Sequence, residues 1–424
     1  MAELLHIDEP ARPITRPMAP AVPPSPEWKA FLELGFRPLY LAGCLWAAVS
    51  VALWVYAPQL LNGTLGGVLW HAHEMLWGFV ATIAVGFLLT AGHNWTGINP
   101  LKGPPLAALC VLWLLARAGF LLGGPAGGEA WYWLALVCEL VFYGWAALAM
   151  ARAVYPARSR RNYGVPVAML GLGVSDGLYL LAARGGDYAQ VMPRFNAGLL
   201  CMAVIALLVA RRVIPFFAMR AIPGLSLPMH TLSGQLQLAA GVLAIGLVLL
   251  GLPLATAAAL TVTGLIGLLQ LLAWKPWAVR HQPLLWILYV GYAAIGAGLL
   301  VAAAHTMGWI ARGAWPAHVM GMAGFSVLII GMVTRTALGH LGRPLQTDRN
   351  MLASYALIMA AAVLRLVALL PAAPVTEVLY AAALAWIAGF GLYLWRFFPM
   401  MIRPRIHAPP SGIAVPPPVA KHPK

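Results

Sequence analysis

The segment HAHEMLWGF, residues 71–79, contains the side chains best suited to metal chemistry in this sequence. His71 and His73 are two residues apart, so on an α-helix they point in directions that differ by about 200°. Two such histidines do not bind one metal ion together, but they can serve two neighbouring centres. Glu74 lies one turn from His71, where a carboxylate can accept the hydrogen bond of a ligating imidazole, and we predict that role for it.

A second segment, HVMGMAGF at residues 318–325, places His318 and Met322 four residues apart on one face of a helix. Imidazole and thioether groups suit both haem iron and copper. Glycine in both segments leaves room for a flat macrocycle between two helices, although it also permits plain close packing of helices. The glycines concerned are Gly78, Gly86, Gly321, Gly324 and Gly331.

These histidines lie at the ends of apolar segments and form an outer group with His305. A single histidine at such a position is usually an ordinary interfacial residue. Two segments with histidines at the same depth favour a metal or haem site, with chance interfacial placement as the competing interpretation.

An inner group of histidines ends the same two segments. His93 lies in TAGHNWTG (90–97) and His340 in ALGHLGRP (337–344), each directly after a glycine. Glycine and histidine are common at helix C-termini, where histidine complements the helix dipole, so we favour capping over a ligand role. Both segments share an order of outer His, Gly-Phe, Gly, Thr and Gly-His, which hints at an internal repeat.

Charged residues also fall inside apolar segments. Glu139 and Asp176 lie deep, where each fits either a proton path or a neutral, hydrogen-bonded role between helices. Arg117 and Arg365 lie nearer the outer ends, where they either extend to the interface or, with Arg312, contact haem propionates. The sequence leaves these alternatives open.

The elements that position these residues are membrane-spanning helices. Of the 424 residues, 62% are apolar and 9% are charged, whereas soluble proteins carry roughly 25% charged residues. We therefore predict an all-α, polytopic membrane protein with about twelve transmembrane helices in a lipid bilayer. The apolar segments lie near 39–61, 69–92, 104–123, 130–154, 164–183, 196–217, 230–251, 253–273, 283–304, 317–338, 351–371 and 374–398.

The distribution of positive charge supports an even number of spans with both termini in the cytoplasm. Of the 27 Lys and Arg residues, Arg184, Arg194 and Arg312 fall in outer loops and Arg117 and Arg365 within spans, which leaves 22 on the cytoplasmic side. Such an excess of positive charge marks the cytoplasmic face of a membrane protein. Because the basic residues occupy short loops, the net charge of +15 does not indicate a nucleic acid partner.

We predict a membrane domain at 28–403 between two proline-rich, disordered tails at 1–27 and 404–424. The first tail lacks the apolar core of a signal peptide. The four cysteines lie inside apolar segments and form no CxxCH motif, so any haem would be non-covalently bound and of b type.

With these residues in view, the chain resembles the NnrS family of bacterial membrane proteins. The resemblance covers most of the membrane region, and the HxHEM…GFLLTA…NWTG string is long and specific. The matching stretches are GFRPLYLAG (35–43), WHAHEMLWGF (70–79), GFLLTAGHNWTG (86–97), RRVIPFF (211–217) and HVMGMAGFSVLIIGMVTRTALGH (318–340).

The resemblance implies a multi-pass protein of the bacterial inner (cytoplasmic) membrane, reported to hold haem and copper. It also implies a role in nitric oxide metabolism and in resistance to nitrosative stress. No defined reaction follows from it, so we leave open whether the protein is an enzyme, and we name no electron donor. The histidines that match the family's motifs are His71, His73, His93, His318 and His340.

We predict His73 and His318 as the haem ligands, and His71 and His305, with Met307, as ligands of copper. The ligand of the loaded protein would be nitric oxide or a related small molecule. A transporter of a metal ion or small ligand, which would use the buried polar groups as a pathway, is the alternative function. Twelve spans and frequent Gly and Pro suit that class, but they suit many other folds equally. A sensor or scaffold that signals through its tails is a third hypothesis.

Overall fold

The computed structural model describes residues 25–123 and 128–406, and within these ranges the regular elements are helical. Among the described residues, twelve helices are long and apolar enough to span a membrane, which confirms the predicted twelve-span, all-α fold. They are α1 (Phe36–Tyr56), α2 (Gly67–Thr96), α3 (Pro104–Leu122), α4 (Glu129–Val154), α5 (Gly164–Gly185), α6 (Tyr188–Ala221), α7 (Thr231–Leu249), α8 (Pro253–Ala273), α9 (Pro283–Thr306), α10 (Ala314–His340), α11 (Arg349–Val367) and α12 (Val375–Met401).

A short helix, Trp28–Phe31, precedes α1, and Trp28 is largely exposed, consistent with a segment that lies along the membrane interface. Residues 1–24 and 407–424, with His6, His407 and His422, lie outside the described residues. The three-part division of the chain and the orientation of the termini remain predictions.

The connection between α7 and α8 is as short as the sequence indicates. Gly251 has a φ of +67°, which glycine adopts without strain, and Pro253 begins α8 at a position where its missing N–H is not needed. Two separate spans therefore form across a sequence with almost no loop.

Helices α2 and α10 occupy the centre of the bundle. In their most apolar stretches, 89% of the residues of α2 and 67% of those of α10 are buried, whereas only 22% are buried in α7. Helix α2 packs against α1, α4, α5 and α6, and it meets α10 directly. The two sequence segments that carry the histidine motifs are thus neighbours in space.

Both central helices contain an eight-residue π-helical segment at an equivalent place. In α2 the segment Glu74–Ala81 follows His73, and in α10 the segment Val319–Ser326 follows His318. A hydroxyl group closes each segment by donating a hydrogen bond to a carbonyl five residues earlier: Thr82 to Trp77 (3.1 Å) and Ser326 to Gly321 (2.8 Å). Such π segments are rare and are frequent at functional sites.

Neighbouring helices donate hydrogen bonds to polar groups in and next to the π segment of α2. Tyr143 of α4 donates a hydrogen bond to the carbonyl of Trp77 (2.8 Å), and the indole of Trp113 of α3 lies 2.8 Å from the hydroxyl of Thr82. Because water is absent from the bilayer interior, these protein partners stabilise the irregular turn. The π segment is therefore held by contacts from two other spans.

Candidate functional site

A cavity of about 290 Å³ lies between α2 and α10, toward the end of the bundle where both helices begin. His71, His318 and Met322 line it, together with Arg365 of α11. The rest of the lining is mostly apolar or aromatic and includes Trp54, Met75, Phe79, Tyr179, Met192, Phe195, Phe325 and Trp386. The cavity therefore combines a few polar groups with apolar walls, as small-molecule and cofactor sites do.

The imidazole rings of His71 and His318 lie near each other on the lining of this cavity. Their centroids are 6.5 Å apart and their planes differ by 21°. Two imidazoles that bind one metal from opposite sides, with metal–nitrogen distances of about 2 Å, have centroids about 6 Å apart. The pair therefore has the separation that a shared metal ion requires.

Each ring has a nitrogen available for a ligand. The Nδ1 atom of His318 lies 2.7 Å from the carbonyl oxygen of Ala314. Because a carbonyl only accepts, Nδ1 carries the proton and Nε2 keeps its lone pair. His71 stacks on Trp54, with centroids 5.0 Å apart, and its Nδ1 is buried without a partner among the described residues.

The shape and charge of this cavity fit a haem. Gly321 lines it, and a Cβ atom added there meets no atom within 4 Å, so the glycine leaves open space for a planar ring. Arg365 supplies a positive charge for a propionate, one of the two roles considered for it. His318 and Met322 share this face of α10, as their spacing predicts.

The structure places His318 beside His71, whereas the sequence predicts His73 and His318 as the haem ligands. Both ring nitrogens of His73 are engaged elsewhere: Nδ1 lies 2.9 Å from Oε1 of Glu74, and Nε2 lies 3.0 Å from Oδ1 of Asp176. Because the two histidines point in directions about 200° apart on the helix, they lie at separate sites. The sequence could not show which of them faces α10, since that depends on the rotation of α2 within the bundle.

Glu74, predicted to orient His71, and His305, predicted to bind copper with His71, each make other contacts. Glu74 contacts His73, Arg117 and the indole of Trp46 (2.5 Å), so it orients His73 instead of His71. His305 lies beside the cavity, where its Nδ1 is 2.6 Å from the carbonyl oxygen of Ile310 and its Nε2 faces Gly313.

His305 is not among the residues that line the cavity with His71, and Met307 is 38% exposed; a copper site at His71 and His305 stays a prediction. Arg312 donates a hydrogen bond to the carbonyl of Leu369 (3.0 Å) instead of facing the cavity.

A second group of functional side chains lies on the other side of α2, and we call it the acidic cluster. It consists of His73, Glu74, Arg117, Glu139 and Asp176, each at most 2% exposed. Arg117 forms ion pairs with both Glu74 and Glu139, and Nε2 of His73 lies 3.5 Å from Oε2 of Glu139. Four spans, α2 to α5, thus meet at one charged centre.

The sequence shows each member of the acidic cluster as a polar residue in an apolar segment, but it does not show that these residues meet. Arg117 was expected at the interface or at a haem propionate, whereas it pairs with two carboxylates. One feature of the sequence does indicate that they meet. Neighbouring spans carry buried charges of opposite sign, and such charges are costly in a membrane unless they pair. Gly78 is part of the same arrangement, because a Cβ atom there would overlap the guanidinium of Arg117.

The acidic cluster and the cavity share a wall. The ring of Tyr179 stacks on His73, with centroids 6.1 Å apart and planes 14° apart, and Tyr179 also lines the cavity. Its hydroxyl group donates a hydrogen bond to the carbonyl of Leu69 (2.8 Å), which holds the ring in place. One aromatic ring therefore separates the two sites.

The inner histidines lie away from both sites. Gly97 ends α2 with a φ of +74°, and its N–H bonds to the carbonyl of His93 (2.8 Å), which is ordinary capping geometry. His340 packs against Phe36, with centroids 5.3 Å apart, and lines a second cavity of about 650 Å³. That cavity is rich in basic side chains: Arg212, Arg220, Arg335 and Arg405.

We expect Arg117→Met to destabilise the protein by about 3–5 kcal/mol, because it leaves Glu74 and Glu139 buried without their cation. Arg184→Met is the matched control, since its pair with Glu129 is partly exposed, and it should cost at most about 1 kcal/mol. Thermal unfolding of each purified variant, monitored by size-exclusion chromatography after heating, measures both losses of stability. Equal losses in the two variants would contradict the importance of the buried pairs.

Comparison with known proteins supports the resemblance. No curated protein matches this chain. A family model described as NnrS protein matches residues 30–405. This range includes all twelve spans, the cavity and the acidic cluster. The chain therefore belongs to the NnrS family.

Proposed function

We propose that this chain binds a b-type haem between His71 and His318 and acts in nitric oxide metabolism at the bacterial inner membrane. The observation that carries the haem site is the pair of imidazoles from two central helices, nearly parallel and 6.5 Å apart on the lining of an apolar cavity. The link to nitric oxide and to nitrosative-stress resistance is supported by membership of the NnrS family.

A bound cofactor explains features that are otherwise unfavourable. Two histidines and Arg365 are placed around one cavity within the membrane region, and buried polar groups there cost free energy unless they interact with something. A single metal ion would contact the polar groups alone and would not require the extended apolar and aromatic lining. A haem would fill the apolar volume, use both imidazoles and pair its propionates with the arginine.

A haem in this cavity would supply a redox-active iron that has affinity for nitric oxide. The protein's own groups would bind and orient it: Nε2 of His318, which keeps its lone pair because Nδ1 bonds to Ala314, and the imidazole of His71 would hold it. The apolar walls exclude water. Held by these residues, the group would supply electron transfer or nitric oxide binding.

Copper remains a proposal with a different location from the one first predicted. Met75, Met192 and Met322 line the same cavity as His71 and His318. Imidazole and thioether ligands suit copper, so copper is the alternative occupant of this cavity. Metal analysis together with an optical spectrum distinguishes the two occupants.

We expect the purified wild-type protein to show a Soret band and about one haem per chain, and His71→Ala and His318→Ala each to lower the haem content roughly tenfold or more. His305→Ala is the control, since this histidine lies outside the cavity at the same end of the bundle. Pyridine haemochrome spectra and metal analysis measure haem, iron and copper. A wild-type protein without haem iron, or cavity variants that keep it, would exclude the haem site.

We expect Gly321→Phe to prevent haem binding without unfolding the protein, because its side chain would enter the open cavity. Gly144→Phe on α4 is the control, since a Cβ atom there also meets nothing within 4 Å but lies outside the cavity. Size-exclusion profiles report folding and the Soret band reports haem. Haem retention in Gly321→Phe would show that the cofactor lies elsewhere.

A further inference from the structure

We propose that the acidic cluster is a second metal centre, in which His73, Glu139 and Asp176 bind a divalent transition-metal ion. The three residues come from α2, α4 and α5, and one ligand atom of each lies within 4.8 Å of the other two. With metal–ligand bonds of about 2.0–2.2 Å, neighbouring ligand atoms lie about 3–3.5 Å apart. The observed separations from Nε2 of His73, 3.0 Å to Asp176 and 3.5 Å to Glu139, fall in this range.

Each ring nitrogen of His73 lies beside a carboxylate oxygen, Nδ1 at 2.9 Å from Glu74 and Nε2 at 3.0 Å from Asp176. The contact between Nε2 and Asp176 needs either a proton or a cation, because both atoms are electron-rich. With a metal ion bound, Nδ1 would keep its proton for Glu74 and the lone pair of Nε2 would bind the ion. A carboxylate behind a ligating imidazole is a common arrangement in metal sites.

Two oxygen atoms of the acidic cluster have no hydrogen-bond partner among the described residues. They are Oε1 of Glu139 and Oδ2 of Asp176, and both residues are at most 1% exposed. A buried carboxylate oxygen without a partner is unusual and costs free energy. In both carboxylates the other oxygen is the one near Nε2 of His73, so an ion held by both oxygens of each carboxylate would give these two atoms a partner.

The net charge of the acidic cluster also favours a bound cation. The acidic cluster contains three carboxylates, and Arg117 compensates one of them through its pairs with Glu74 and Glu139. With a neutral imidazole, two negative charges remain in a fully enclosed part of the membrane region, where unpaired charge is costly. One divalent ion would neutralise them.

The ligand set indicates which ions fit. Imidazole suits several transition metals and carboxylates suit harder ions, whereas Cu(I) prefers sulfur ligands. One imidazole with two carboxylates therefore favours Mn²⁺, Fe²⁺ or Zn²⁺. Phe120 and Tyr179 close the site on either side of His73, so the ion would remain bound through purification. This centre does not depend on the haem.

The test is the metal content of the full-length protein in detergent or nanodiscs, with haem iron subtracted by the haemochrome assay. We expect about one non-haem divalent ion per chain, and a loss of roughly 10- to 100-fold in Asp176→Asn and Glu139→Gln. Glu129→Gln is the matched control on the same helix as Glu139, because that carboxylate is largely exposed. It should keep the ion.

A wild-type protein that contains no non-haem ion, even after incubation with Mn²⁺, Fe²⁺ and Zn²⁺ in turn, would overturn the proposal and leave protons as the compensating charge. This measurement decides the matter even where the carboxylate variants fail to fold. His71→Ala separates the two proposals, since it should lose haem and keep the ion. Retention of the ion in a folded Asp176→Asn variant would also exclude this site.

Discussion

The main constraint on this structure is that each polar side chain of α2 needs an interaction partner inside an apolar helix bundle. His71 and His73 point to opposite sides of this helix, so each must be accommodated by a different set of neighbours. On one side His71 lies near His318 on the lining of an apolar cavity, and on the other His73 meets Asp176 and Glu139. The rotation of one central helix therefore determines both candidate centres.

Helices α2 and α10 have the same order of local structural features. Each begins with a histidine-bearing turn, continues through an eight-residue π segment closed by a hydroxyl group and ends near a second histidine. Their shared order of residues, visible in the sequence, thus corresponds to a shared local structure. In α2, Tyr143 and Trp113 also donate hydrogen bonds to carbonyl groups of the π segment, which ties the helix to α4 and α3.

The sequence was sufficient for the twelve spans, because segment length and hydropathy are local properties, and for the histidines that carry the chemistry. It was insufficient for the pairing of those histidines. The spacing of His71 and His73 shows that they diverge but contains no information about which side faces α10, since the packing of all neighbouring helices decides this. For the same reason Glu139, Asp176 and Arg117 were separate observations until the fold brought them to His73.

The central claim is that His71 and His318 share one iron, and the spin state of the oxidised protein tests it most directly. Two imidazoles on opposite sides of a ferric haem produce a low-spin centre, so electron paramagnetic resonance of the wild-type protein should show a low-spin signal. Replacing His318 by alanine should remove that signal. A wild-type spectrum that is entirely high-spin would contradict the account, because it would show that at most one of these two histidines binds the iron.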